Sequence, residues 1–132
     1  MKPADLVELG RRVVAMERDA LTETHRRLGD SFARAVMLVA SANGRVIVAG
    51  IGKSGLIARK IAATLTSTGT PASFLHPVES VHGDLGIVGE QDVAILLSKS
   101  GETVEVLHLL EPLRREGTKI RSEEHTSELQ SQ

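Results

Sequence analysis

Three short stretches of this sequence combine residue types and spacings that could do chemistry. The first is Gly50-Ile51-Gly52-Lys53-Ser54-Gly55, a G-x-G-x-x-G pattern set between a β-branched run and a helical pattern. In that context the pattern ordinarily points to a dinucleotide, whose ribose needs an acid about 20 residues further on, at the end of the next strand. Here the next apolar run ends Phe74-Leu75-His76-Pro77, and the nearest acid, Glu79, lies beyond it. A nucleotide P-loop fits less well still, because Ile47 stands where its leading glycine belongs. One physical role outlasts both failures. Backbone N–H groups in a tight turn at a helix start can surround an anion, and Lys53 brings a cation to the same place. A solvated surface lysine is the plain alternative.

The second stretch is Ser98-Lys99-Ser100-Gly101-Glu102-Thr103, which follows an apolar run and opens a helical pattern. Its hydroxyls, its flexible glycine and a helix N-terminus make a compact phosphate cup. An ordinary capped helix start would use the same residue types. The third is His76-Pro77-Val78-Glu79-Ser80-Val81-His82-Gly83-Asp84, a polar loop with two histidines around Glu79. That spacing is no strong metal signature, and the chain has no thiolate to add to it. Acid–base use of one histidine and plain structural hydrogen bonding both stay open. Glu105 sits early in the helix after the phosphate cup, where it is either a base facing a bound ligand or a solvent-facing glutamate.

The elements that must position these stretches can be read from periodicity. Leu6, Leu9, Val13, Met16 and Ala20 recur at three and four residues behind Asp5, a candidate helix cap. Gly29 and Asp30 punctuate, Phe32, Ala35, Val36 and Val39 share one side of a second helix, and Asn43-Gly44 stops it. Three runs then follow without polar alternation, as expected for strands covered on both faces: 45–50, 72–75 and 93–97. Between and after them lie helical patterns at 55–67, with Ile57, Ile61, Ala62 and Leu65 inward, and at 103–115, with Val106, Leu109, Leu110 and Leu113 inward. Thr118-Lys119-Ile120 begins a fourth strand. This rhythm predicts an α/β fold, an open parallel sheet with two leading helices able to cover one face. All three chemical stretches then fall after strands, at the edge where open parallel sheets bind ligands.

The expected organisation is leading helices over 1–44, sheet domain over 45–120, and a tail over 121–132. The tail has Leu129 as its one aliphatic residue and reads as non-native or disordered sequence, so the sheet is expected to break off near residue 120. Composition narrows the function. Phe32 and Phe74 are the only aromatics, and the net charge is −1 with basic residues scattered, so a nucleic-acid partner is not expected. No apolar stretch suggests a signal peptide or a spanning helix, and the absence of cysteine suits a reducing, cytoplasmic setting.

Residues 45–120 resemble the sugar isomerase (SIS) domain of arabinose-5-phosphate isomerases of the KpsF/GutQ type. The resemblance is carried by Val48 to Gly55, by Ser67-Thr68-Gly69-Thr70-Pro71, by His76-Pro77 with His82-Gly83-Asp84-Leu85-Gly86, and by Ser98 to Thr103. It implies interconversion of D-ribulose 5-phosphate and D-arabinose 5-phosphate for the Kdo sugar of lipopolysaccharide, with no cofactor. By the same resemblance Lys53, His82 and Glu105 are catalytic. Gly52, Ser54, Gly69, Thr70, His82, Ser98, Ser100 and Thr103 contact the substrate, and His76 matches a histidine associated with an inhibitory zinc. Lys99 departs from the family, where many members carry Asn. Aldose–ketose isomerisation needs a base within about 3 Å of the transferred proton and hydrogen-bonding or positive help for the oxyanion. Glu105 suits the base, Lys53 the electrophile or phosphate partner, and His82 ring opening, although Glu105 and His82 can exchange roles. The resemblance also implies a homo-oligomer, a tetramer at full length. It further implies a domain that continues past residue 120 with another catalytic glutamate and histidine, followed by a pair of CBS domains. On that basis this stretch alone is expected to be inactive. A sugar-phosphate-sensing SIS module, or another phosphosugar isomerase, would use the same loops.

Overall fold

The computed structural model describes residues 1–77 and 88–99, together with the backbone of 119–123. The expected helix over 103–115 lies outside these residues. The described chain divides into two compact units, Met1–Val36 and Met37–Gln132.

The first unit is dominated by α1, Pro3–Arg27. Pro at the first helical position costs no hydrogen bond, since that N–H has no intrahelical partner anyway. Asp5 does not cap the helix from outside, as its position suggested. It occupies the third helical position, where its carboxylate accepts the Lys2 N–H at 3.0 Å. Arg26 and Arg27 in the last turn complement the helix dipole, and both donate to Glu23. The stripe read as a buried face is exposed: Leu6 is 53%, Leu9 48%, Val13 48% and Met16 67% accessible. The helix α2, Asp30–Ala40, begins at the expected punctuation, and Phe32 and Val36 on it are likewise exposed.

The second unit is built on a parallel sheet. Its strands are β1 (Val46–Gly50), β2 (Ala72–Leu75), β3 (Val93–Leu97) and β4 (Lys119–Glu123), in the order β2-β1-β3-β4. β1 lies between β2 and β3, with Val46 opposite both Ala72 and Val93. Every residue of β1 is buried, which explains its lack of alternation: successive side chains go to opposite faces, and both faces are covered. Val46 and Val48 pack with Ala58 and Ala62 on one face, against Val39, Ile61, Leu65 and Phe74. Ile47 and Ala49 pack on the other with Leu75, Val88, Ala94 and Leu96.

The crossover between β1 and β2 is α3, Lys53–Ser67. It starts two residues earlier than its apolar pattern suggested, because Gly52 turns the chain at φ +60° directly before it. Its buried face is Gly55, Ala58 and Ala62, while Ile57, expected inward, is 57% exposed. The cause is a backbone contact. A Cβ on Gly55 would stand 2.7 Å from the Gly50 carbonyl oxygen, and one on Gly50 would stand 2.8 Å from the Ser54 carbonyl. The helix seats on the strand through its small residues, and this rotates Ile57 outward.

β4 is a further correction. It continues through Glu123 in parallel register with β3, pairing Val93 with Lys119 and Leu97 with Glu123. The strand therefore takes in three residues assigned to the tail. Strand pairing is made by backbone groups, and at a sheet edge it tolerates charged side chains, so the missing apolar run did not prevent it.

At the opposite, N-terminal edge, Asp92 joins the strand starts. Its buried carboxylate accepts the Arg45 N–H at 2.7 Å and the Gly89 N–H at 2.8 Å. A Cβ at Gly44 would collide with that carboxylate, so the glycine before β1 is required by packing.

Candidate functional site

All four parallel strands end at the C-terminal edge of the sheet, and the described turns that leave it follow β1, β2 and β3. The register places Gly50 beside Leu97, and Ala49 beside Leu75, so His76, Gly50 and Ser98 come out on three adjacent strands. Neighbouring strands lie about 4.8 Å apart, and the three exits therefore span roughly 10 Å, the scale of one small sugar phosphate. The connection from β1 turns to β2 on one side, while β3 lies on the other. The crevice between β1 and β3 is thus the topological switch point where open parallel sheets take their ligands.

The glycine turn borders that crevice. Gly52 holds φ +60°, which L side chains rarely adopt, and a Cβ there would meet nothing within 4 Å. Among the described residues, then, glycine is needed here for conformation and not to avoid a clash. Among the described residues no side chain caps α3, and the N–H groups of Lys53, Ser54 and Gly55, in its first turn, have no partner inside the helix. Lys53 is exposed at this start and Ser54 is half-buried. Across the crevice, Ser98 is buried with 8% accessibility and Lys99 is exposed. Among the described residues of these three turns there are two lysines, a histidine and no carboxylate. Glu90 and Asp92 belong to the other edge, while Glu123 ends β4 at this one, opposite Leu97. The arrangement favours an anion through amide dipoles, the helix N-terminus and lysine charge.

The structure brings together Gly52, Lys53, Ser54, His76 and Ser98. It does not bring Gly69 and Thr70 to them. Those two residues follow the C-terminal end of α3, and with Pro71 they line a recess of about 210 Å³ beside Gly44 and Val46. They therefore sit at the N-terminal edge, the length of a strand away from Lys53. His82, Ser100, Thr103 and Glu105 lie outside the described residues. Among the described residues no three His, Asp or Glu side chains gather to hold a metal, and Glu79 and His82, the nearest candidates to join His76, lie outside them.

Sequence reasoning overlooked two groups. Asp92 carried one signal, its place three residues after a glycine at a strand start. Arg59 and Phe74 carried none, since their contact arises only when α3 lies on β2. The Arg59 guanidinium stands 4.0 Å from the centre of the Phe74 ring.

An open parallel sheet with a glycine turn at its switch point defines an α/β domain of the kind that takes ligands at that edge. The model of the SIS domain matches residues 38–122, and the chain belongs to that family. It is 46% identical over 113 residues to the arabinose 5-phosphate isomerase KdsD of Pseudomonas aeruginosa, covering 86% of this chain and 35% of that protein. To the probable arabinose 5-phosphate isomerase of Haemophilus influenzae it is 43% identical over 127 residues, covering 89% and 38%. The chain thus spans little more than a third of the length of these curated relatives. A structure from Escherichia coli CFT073, solved in complex with arabinose 5-phosphate, superposes with a TM-score of 0.91 at 43% identity, over 96% of this chain and 67% of that one.

Proposed function

We propose that this chain carries the phosphosugar-binding part of an aldose–ketose isomerase that interconverts D-ribulose 5-phosphate and D-arabinose 5-phosphate. The observation that carries the reading is the uncapped, glycine-opened start of α3 with Lys53 on it, facing the crevice between β1 and β3. The similarity to proteins named arabinose 5-phosphate isomerases supports the choice of sugar. In this reading the phosphate takes the first-turn N–H groups of α3 and the hydroxyls of the turn after β3, namely Ser98, Ser100 and Thr103. Lys53 neutralises the phosphate or the developing oxyanion. Glu105 moves the proton between C1 and C2, and His82 assists ring opening.

The reading places the reaction in the cytoplasm, in Kdo and lipopolysaccharide synthesis, because a doubly charged sugar phosphate does not cross a bilayer unaided. Among the described residues no helix is long and apolar enough to cross a membrane. The scattered basic residues and a net charge of −1 support a small substrate over a nucleic acid. The assembly is a homo-oligomer, a tetramer in the whole protein. The exposed Leu6, Leu9, Val13 and Met16 stripe of α1 supports this, since an unpaired apolar helix face of that length is ordinarily covered by another copy. Leu9→Lys together with Val13→Lys should lower the mass measured by light scattering.

Equilibrium titration with arabinose 5-phosphate tests the binding claim. Saturable binding that exceeds binding of unphosphorylated arabinose, and that weakens about tenfold or more in Lys53→Met, is the expected result. Equal binding of both sugars would overturn the reading.

A further inference from the structure

Phe74 is one of two aromatic residues in the chain, and the proposed reaction gives it no role. It lies on the face of the sheet that carries α3, packed against the core there. Two side chains meet its ring. The Arg59 guanidinium covers it at 4.0 Å from the ring centre. The tip of the ring lies near Gly55, where a Cβ would stand 3.9 Å from it, an ordinary van der Waals distance. His76 meets it edge-on, with ring centres 6.4 Å apart and planes inclined at 76°. His76 is two residues further along the strand direction, hence on the same face, and it leaves β2 beside Gly50.

We propose that Phe74 is a positioning residue: covered by Arg59 and packed in the core under α3, it fixes the His76 imidazole beside the glycine turn, where that imidazole hydrogen-bonds the bound sugar phosphate. The inference rests on the reading of this edge as the phosphosugar site. An edge-to-face pair limits the imidazole to a narrow set of orientations, and a cation over the phenyl ring limits that ring in turn. A pre-oriented donor loses less freedom on binding than a free one. The stack also links α3 to β2 through side chains, so the glycine turn and His76 keep their spacing.

The test uses this chain with Phe74→Leu, Phe74→Tyr and Arg59→Gln, following the His76 ring-proton resonances and the affinity for arabinose 5-phosphate. His76→Asn assigns the resonances, and exposed His25 serves as the internal reference. In Phe74→Leu the His76 signals should move toward those of His25 and affinity should fall about fivefold, the scale of an aromatic pair. Phe74→Tyr keeps the ring and should restore both. Arg59→Gln should shift the same signals to a lesser degree, and it decides the matter if Phe74→Leu does not fold. Unchanged His76 signals in Phe74→Leu, or in a folded Arg59→Gln, would overturn the positioning role. So would affinity within twofold of the parent in Phe74→Leu. A parent chain that does not bind arabinose 5-phosphate would instead sink the functional reading, and the resonances would still judge the stack.

Discussion

Replacing Gly55 by alanine isolates the contact that seats α3 on β1. The added methyl would stand 2.7 Å from the Gly50 carbonyl oxygen and 3.2 Å from its carbon. Both atoms are backbone in a strand buried on each face, so neither can swing aside. Relief requires the helix to rise by roughly 0.5 Å or more, which loosens Ala58 and Ala62 against Val46 and Val48. Overpacking of this kind costs about 1–3 kcal/mol or more, against about 1 kcal/mol that alanine gains over glycine in a helix. A net loss of up to about 2 kcal/mol is expected, toward the upper end because both opposing atoms are backbone. With a urea m-value on the order of 1–2 kcal/mol/M, the unfolding midpoint should fall by about 1 M at unchanged slope. Gly10→Ala is the control, because a Cβ there meets nothing within 4 Å and the residue is interior to α1. It should leave the midpoint unchanged or raise it. A Gly55→Ala chain as stable as the parent would refute the close-contact account of why α3 starts and turns as it does.

Other perturbations give separate tests. Asp92→Ala removes the acceptor for the Arg45 and Gly89 N–H groups and should cost roughly 2–4 kcal/mol by urea unfolding, with no change in sugar affinity. Arg26 and then Arg27 hold the exposed Glu23 carboxyl below its ordinary range by hydrogen bonding. A lowered carboxyl favours the folded helix above the ordinary range, and the advantage is lost as pH falls through the lowered value. Helicity by circular dichroism should therefore show an acid step that Glu23→Gln lacks. Removing residues 124–132, which the proposed function does not use, should leave both unfolding midpoint and sugar binding unchanged; a loss of either would give that segment a role.

Much of the fold was legible because burial on both faces leaves an unambiguous record. Val46 to Gly50 and Val93 to Leu97 have no polar alternation, and both became strands at the expected places. The SIS resemblance, read from four motifs, agrees with the family match over residues 38–122. What stayed hidden depended on partners far along the chain. Apolar periodicity put Ile57 inside, but the Gly50–Gly55 contact fixed the helix rotation. The stripe on α1 was a correct helix signal, yet periodicity cannot say what covers a face. β4 was underestimated because its Lys-Ile-Arg-Ser-Glu sequence lacks the apolar signature while its backbone pairs regardless. For the site, glycine pattern and strand context located Gly52 and Lys53. Motif order along the chain, however, hid the fact that Gly69 and Thr70 come out at the far edge.

The central claim is that a phosphorylated pentose sits at the C-terminal edge of the sheet, against the start of α3. Mapping backbone amide shifts during titration with arabinose 5-phosphate tests this directly. The largest changes should fall on Gly52, Lys53, Ser54, His76 and Ser98, with Gly44, Thr70 and Asp92 unmoved. Changes centred on Gly69, Thr70 and Asp92 instead would place the ligand at the opposite edge and contradict the account.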